Sequence, residues 1–364
     1  MVELNRRLLR DVDWITLLAP ISLTLFGCVG IYSAAPQADH WKKQLIFLVI
    51  GAVCACIIAV TDYRIVIGSL APFFYVATLV LLILVFTPLG ATINQNRAWL
   101  RVAGFSLQPS EFAKLATIIM LARYLQQPRS GSLPLRDIIK MGVIVLAPVI
   151  LILLEKDVGT MLTFGAIYAT FCFLGGVRKL YIAAGVVAVI VGLVAVYPHL
   201  KPYQQKRIDV IIHPDEADPR GYGYQTVQTK ITVGSGGFFG KGVTQGTQAR
   251  LGFLPNGHSD FVASIIAEEM GFVGVLTMIG LYGVLLTRLT LIAKGARDRA
   301  GALMVMGLVS LLTFHIACNL GMVVGSLPIM GIPLPLMSAG GTSVVAVFMG
   351  IGLALSVRLR RFVN

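Results

Sequence analysis

Long apolar runs separated by short polar interruptions fill most of this 364-residue chain. They occupy 14–32, 44–60, 65–86, 138–154, 158–174, 180–197, 261–292, 301–324 and 343–357, with a shorter run at 112–125. Most are near the ~20 residues that a helix needs to cross a bilayer core, so the pattern predicts an all-α polytopic membrane fold of about ten spans. Residues 1–364 then form a single transmembrane domain, and both chain ends lie on one side of the membrane. The stretch 198–260, between the seventh and eighth spans, becomes one long extracytoplasmic loop.

Composition agrees with this pattern. Hydrophobic residues make up 56% of the chain and charged residues only 13%, and the mean hydropathy is +0.82, beyond what a soluble domain of this length reaches. The formal charge of +13 could suggest nucleic acid, but the basic residues are not interleaved with aromatics and sit between apolar runs. They set the orientation instead. Arg123, Arg136, Lys140, Arg178, Lys179, Arg288, Lys294, Arg299, Arg358 and Arg360 fall on one face, while Lys42, Lys43, Arg97, Arg101 and Lys156 are the few on the other. The positive-inside rule therefore makes both termini cytoplasmic. The run at 14–32, preceded by Arg6, Arg7 and Arg10, lacks a small-residue cleavage site and reads as a span, not a cleaved leader. Cys28, Cys54, Cys56, Cys172 and Cys318 all lie in apolar runs without metal or CxxC spacing and read as small buried hydrophobes.

Polar residues inside such segments are costly and mark function by default. A helix entered at Asp260 would put Asp260, Ser264 and Glu268 on one stripe, with Glu269 beside them. Arg97, Glu111, Lys114, Asp157, Asp260, Glu268, His315, Asn319 and Ser338 all map to the outward half of the topology, which predicts one polar cavity opening outward. Glu111 and Lys114 follow Pro109 at the start of the fourth span and form an i, i+3 pair. His315 and Asn319 lie one turn apart and read as interhelical hydrogen-bonding residues. The glycine-rich stretch 234–242 lacks phosphate-loop spacing, and Gly242 stands where that loop needs Ser or Thr, so a tight turn-rich loop is expected. His258 and Asp260 have no evident third ligand, so no metal site is assigned. Residues 328–342, with Pro328, Pro333 and Pro335, read as irregular backbone at membrane depth.

Several motifs occur together in register: Gln108-Pro109-Ser110-Glu111 with Lys114, Tyr203-Gln204 with Arg207, Gly223-Tyr224-Gln225, Gly240-Lys241-Gly242, His258-Ser259-Asp260-Phe261, Glu268-Glu269 and Gly331-Ile332-Pro333-Leu334-Pro335. Over nearly the whole chain they resemble the SEDS family (shape, elongation, division and sporulation proteins), with wording at 215–219 and 246–248 closer to its elongation members. Glu155-Lys156-Asp157 departs from the family's usual Gln-Pro-Asp. The resemblance implies a peptidoglycan glycosyltransferase of the bacterial cytoplasmic membrane that polymerises lipid II into undecaprenyl-pyrophosphate-linked glycan at the outer face. It also implies work beside a class B penicillin-binding protein and other membrane proteins of the elongation complex. A lipid II flippase, or a scaffold that activates a penicillin-binding protein, is the competing expectation.

Under that resemblance Asp260 is the catalytic residue. Joining sugars needs a base that takes a hydroxyl proton, which contributes roughly a hundredfold to ten-thousandfold. Arg97, Arg101, Lys114 and Arg207 are the cations available to a departing pyrophosphate. Glu111, Glu268, Glu269 and Ser338 complete the expected substrate-binding set. The sequence demands no cofactor, and a divalent cation (Mg or Mn) could share the pyrophosphate charge.

Overall fold

The computed structural model describes residues 13–93, 96–102, 105–127, 131–199, 205, 223–255 and 257–361. Arg207 lies outside these residues. Eleven helices of ten residues or more carry the fold among them: α1 (Trp14–Ala34), α2 (His40–Val60), α3 (Tyr63–Leu84), α4 (Pro109–Tyr124), α5 (Leu135–Leu154), α6 (Val158–Gly175), α7 (Lys179–Val196), α8 (Tyr224–Ser235), α9 (Val262–Lys294), α10 (Arg299–Val323) and α11 (Gly341–Leu359). Eight of them, α1, α2, α3, α5, α6, α9, α10 and α11, are long and apolar enough to cross a membrane. The other two predicted spans are helical as well, as α4 with 16 residues and α7 with 18.

Two features differ from a purely helical reading. Between α3 and α4 the chain forms an antiparallel sheet in the order β1-β2-β3, from Gly90–Ile93, Asn96–Val102 and Phe105–Leu107. Within the long loop, α8 carries Thr226, Thr229 and Thr232 on its buried side. Apolar periodicity could announce neither, because both segments are short and polar.

The helices pack through small residues that let backbones approach, as expected where apolar surface alone does not drive association. Gly352 of α11 lies against the backbone of Ala55 of α2, so that a Cβ there would stand 2.7 Å from the Ala55 carbonyl oxygen. On the same seam Gly51 is covered by Phe348. Gly307 of α10 receives Ile118 of α4 and Phe171 of α6, which places α4 in the middle of the bundle. Its residues from Pro109 to Ala122 are accordingly almost all buried. The cysteines divide: Cys28, Cys172 and Cys318 are buried, Cys54 is half-buried and Cys56 is exposed. An apolar helix face turned toward lipid has no need to be covered by protein, which corrects the expectation for these two.

The bundle has two chemically distinct ends. At one, Asp13 pairs with Arg288 and Arg358, Asp62 with Arg360, and Asp298 with Arg64. The other gathers the sheet, α8, the N-termini of α4, α6, α9 and α11, and the irregular segment that follows α10.

Candidate active site

Asp260 stands before α9, not within it. The helix begins at Val262, and Phe261 supplies the carbonyl that accepts the amides of Ser264 and Ile265 at 3.0 and 3.3 Å. The carbonyl of Asp260 is held instead by Asn319 of α10, whose Nδ2 donates to it at 2.9 Å. The expected stripe of Asp260, Ser264 and Glu268 is therefore not formed. Ser264 is fully buried, with no hydrogen-bond partner for its hydroxyl among the described residues.

The same Asn319 nitrogen donates to the carbonyl of Ile332, also at 2.9 Å. His315 reaches the next carbonyl, that of Pro333, through Nδ1 at 3.4 Å, so one face of α10 fixes two consecutive peptide groups. His315 and Asn319 thus bind the irregular segment. Gly331 has φ +67, a conformation that favours glycine, and a Cβ there would lie 3.9 Å from Asp260 Oδ2. Further along, Gln44 of α2 donates to the carbonyls of Leu336 and Ser338 at 3.3 and 3.0 Å and accepts from the amide of Gly340 at 3.3 Å. The Ser338 hydroxyl accepts from the amide of Leu334 at 2.9 Å. Ala339 donates to the carbonyl of His258 at 3.0 Å, which closes the segment onto the strand of chain that carries Asp260.

Behind this segment lies a buried ion pair. Lys114 Nζ is 2.8 Å from Glu111 Oε1, and Lys114 is only 1% exposed. The ammonium also lies 3.5 Å from His315 Nε2, and the Thr163 hydroxyl of α6 lies 3.2 Å from the same nitrogen. An ammonium can only donate, so the Nε2 that receives it bears the lone pair and the proton sits on Nδ1, facing Pro333.

A second carboxylate faces Asp260. Asp157 caps α6: Oδ1 accepts the amide of Thr160 at 3.0 Å, and Oδ2 accepts the Thr160 hydroxyl at 2.8 Å and Gln108 Nε2 at 3.4 Å. Burial raises the proton affinity of Asp260 above the usual carboxylate range, a hydrogen bond from Ser259 opposes this, and the charge of Asp157 adds to it. Glu155, two residues before Asp157, is 1% exposed, and neither of its oxygens has a partner among the described residues. Burial, and then the neighbouring Asp157, push its pKa up to about 8.

The remaining expected residues lie apart from this cluster. Arg97, on β2, is exposed and donates to the carbonyl of Thr87 at 2.8 Å, and Arg101 is exposed on the same strand. Glu268 and Glu269 hold the glycine-rich loop. Glu268 Oε1 takes Lys241 Nζ at 2.7 Å, the amides of Thr247 and Gln248 at 2.9 and 3.1 Å, and the Thr247 hydroxyl at 3.0 Å. Glu269 Oε1 accepts from the hydroxyl of Ser33 and the amide of Gly246. The loop amides of Lys241 and Gly242 close on the carbonyls of Glu268 and Glu269 at 3.0 and 2.9 Å, and α9 breaks at Gly271 with φ 64 and ψ −158 to admit them. Sequence reasoning missed Gln44, Thr160 and Thr163, and named Gln108 only as part of a motif, without a role. The one local signal available was an Asp three residues before a Thr at a helix start, which marks Asp157 as an N-cap. Among the described residues no group of three or more His, Cys, Asp or Glu is placed to hold a metal ion.

Comparison with known proteins gives this geometry a context. Residues 12–361 match the family of FtsW, RodA and SpoVE, described as "Cell cycle protein". The chain is 33% identical to a probable peptidoglycan glycosyltransferase FtsW of Trichlorobacter lovleyi, over 98% of this chain and 96% of that one. It is also 33% identical to the peptidoglycan glycosyltransferase MrdB of Escherichia coli, over 96% and 94%. Among solved structures it resembles a chain from a peptidoglycan synthase complex that coordinates polymerization and crosslinking, with TM-score 0.84, 33% identity and coverage of 97% and 99%. The rod shape determining protein RodA of Thermus thermophilus aligns with TM-score 0.73 and 29% identity over 97% and 98%.

Proposed function

This chain belongs to the FtsW/RodA/SpoVE family, and from that premise we propose that it is a peptidoglycan glycosyltransferase that polymerises lipid II with Asp260 as general base. The observation that carries the assignment is the state of Asp260. Its carboxylate stands at the head of a transmembrane bundle, its backbone is fixed by α10, and its proton affinity is raised by burial. A sugar hydroxyl oxygen attacks the anomeric carbon of a second lipid-linked disaccharide while its proton passes to Asp260. The bond from that carbon to the pyrophosphate breaks, and the polyprenyl pyrophosphate leaves with the electron pair. An elevated pKa makes the ionised carboxylate a stronger base. Arg97 and Arg101, exposed on the sheet apart from the Asp260 cluster, are open to a phosphate of a long lipid-linked substrate, whereas Lys114 is buried against Glu111 behind the 331–333 segment and acts only at a distance. A divalent cation bound with the substrate would share that charge.

The paired acids and arginines at the far end of the bundle support a cytoplasmic position for that end and, with it, an outer-face position for Asp260. The likeness to a synthase that couples polymerization with crosslinking supports a penicillin-binding transpeptidase as partner. Purified protein in detergent, given lipid II alone, should yield a ladder of glycan strands on a gel, and the Asp260→Asn variant none. Strands from that variant would remove Asp260 from the chemistry. A wild type that makes no strands but moves lipid II across vesicles would make the chain a transporter.

A further inference from the structure

Asp260 has no helix around it to hold its direction, since α9 starts only at Val262. Its restraint comes from α10. Asn319 is fully buried, and its single amide nitrogen donates to two carbonyls on different segments, Asp260 and Ile332, both at 2.9 Å. One turn earlier His315 donates to Pro333, and its other nitrogen is engaged by Thr163 of α6 and by Lys114, which is itself tied to Glu111. Beside the two clamped carbonyls Gly331 lies close to the acid, and a Cβ there would stand 3.9 Å from Asp260 Oδ2, in ordinary van der Waals contact.

We propose that Asn319 is a positioning residue that sets the place of the Asp260 carboxylate by tying its backbone to the 331–333 segment, with His315 as the second tie of the same clamp. The proposal rests on Asp260 being the base. Asn319 touches neither substrate nor reacting atoms in this role. It acts through geometry, and a displacement of about 1 Å at a reacting group costs on the order of a hundredfold in rate.

The test uses full-length protein in detergent with lipid II, comparing wild type, Asn319→Leu, Asn319→Asp, Asn319→Gln and Asp260→Asn. Leu removes the two donated hydrogen bonds, and Asp, almost unchanged in shape, keeps at most one of them and only when protonated. Both should lower kcat about a hundredfold while KM for lipid II changes by less than about threefold, and Gln should recover part of the loss. The acid limb of the kcat/KM profile should move to lower pH in Asn319→Leu, because a freed carboxylate reaches water, and should stay in place in Asn319→Gln. The charged groups set against Asp260 in that profile are Asp157 at the start of α6 and, through His315, Lys114 of α4. An inactive Asp260→Asn beside a fully active Asn319→Leu would overturn the clamp and leave the base assignment standing. A fall in activity with an unmoved acid limb would also overturn it, as mere loss of packing. An active Asp260→Asn would sink the base assignment itself. If Asn319→Leu does not fold, His315→Ala carries the same readouts.

Discussion

Within ten residues the chain presents three acids at the entrance to α9, and the structure treats them in opposite ways. Glu268 and Glu269 are wrapped in donors: a lysine, three loop amides and two hydroxyls converge on one oxygen of each. Asp260 has its backbone held and its carboxylate left with a neighbouring serine and an opposing aspartate. Burial with so few donors raises the proton affinity of Asp260. Glu268 Oε2 is buried without a partner among the described residues, so the difference lies in the oxygen that is held: an acid anchored there is a strut, and one whose carboxylate is left short of donors is available for chemistry. The comparison teaches that the partners of each acid along this segment are allotted by the loop that covers it, not by its place in the sequence.

The largest expected effect breaks the comparison at Asp260. Replacement by Asn keeps the volume and removes the base, and should lower polymerisation about a hundredfold to ten-thousandfold. The melting temperature in detergent should hardly move. In the wild type, activity should fall as pH drops through a midpoint above the ordinary carboxylate range, because the burial-raised group takes up its proton early. A midpoint at or below that range would show that Asp260 is as well solvated as a surface acid.

Glu268 should behave in the reverse manner. Glu268→Ala strands Lys241 and three other donors around a fully buried carboxylate, and because Lys241 is itself 28% exposed and can turn to water, the loss should fall below the ~3–5 kcal/mol of a wholly buried pair. Thermal melting in detergent should register that loss, and glycan synthesis per folded molecule should be retained. A variant that melts like the wild type but has a raised KM for lipid II would restore Glu268 to the substrate site.

How far these roles could be read from sequence depends on the range of the interaction that fixes them. The spans were legible because bilayer thickness imposes one length on every apolar run. The gathering of Glu111, Lys114, Asp157, Asp260, Asn319 and Ser338 at one end followed from counting spans. What separated Asp260 from Glu268 was not legible, because it comes from contacts more than twenty residues away, Asn319 for one and Lys241 for the other. The stripe expected of a helix entered at Asp260 failed for the same reason: a distant amide took the carbonyl that would have started it. Gly240 and Gly242 read correctly as turn-forming, but that they fill a break in α9 at Gly271 depends on a partner no local pattern names.

That break offers a smaller perturbation. Gly271 lies at φ 64 and ψ −158, essentially a glycine-only conformation, and a Cβ would come 2.4 Å from the amide nitrogen of Gly240. Gly271→Ala should cost at least about 1–3 kcal/mol and loosen the loop that Glu268 and Glu269 hold. Thermal melting and limited proteolysis within residues 236–248 measure the two effects. Unchanged protection of the loop would mean that the kink and the acid cluster are independent.

The perturbation that sharpens the comparison most comes from Glu155. It is the limiting case of an acid without donors: almost wholly buried, neither oxygen partnered among the described residues, with a pKa pushed to about 8. At pH 7 it is mostly protonated in the folded protein and ionised in the unfolded chain. Between an ordinary carboxylate pKa and about 8 the folded state therefore holds the extra proton, and stability declines as pH rises through that window. Below the window both states are protonated and the loss is absent; above it the loss is complete and constant. Glu155→Gln, a neutral amide of the same shape, should fold as well as the wild type at acid pH. It should be more stable by a growing margin toward pH 8, read as melting temperature against pH. Parallel curves for the two proteins would mean that Glu155 has found a donor and belongs with Glu268, and the ordering of acids by their partners would lose its third term.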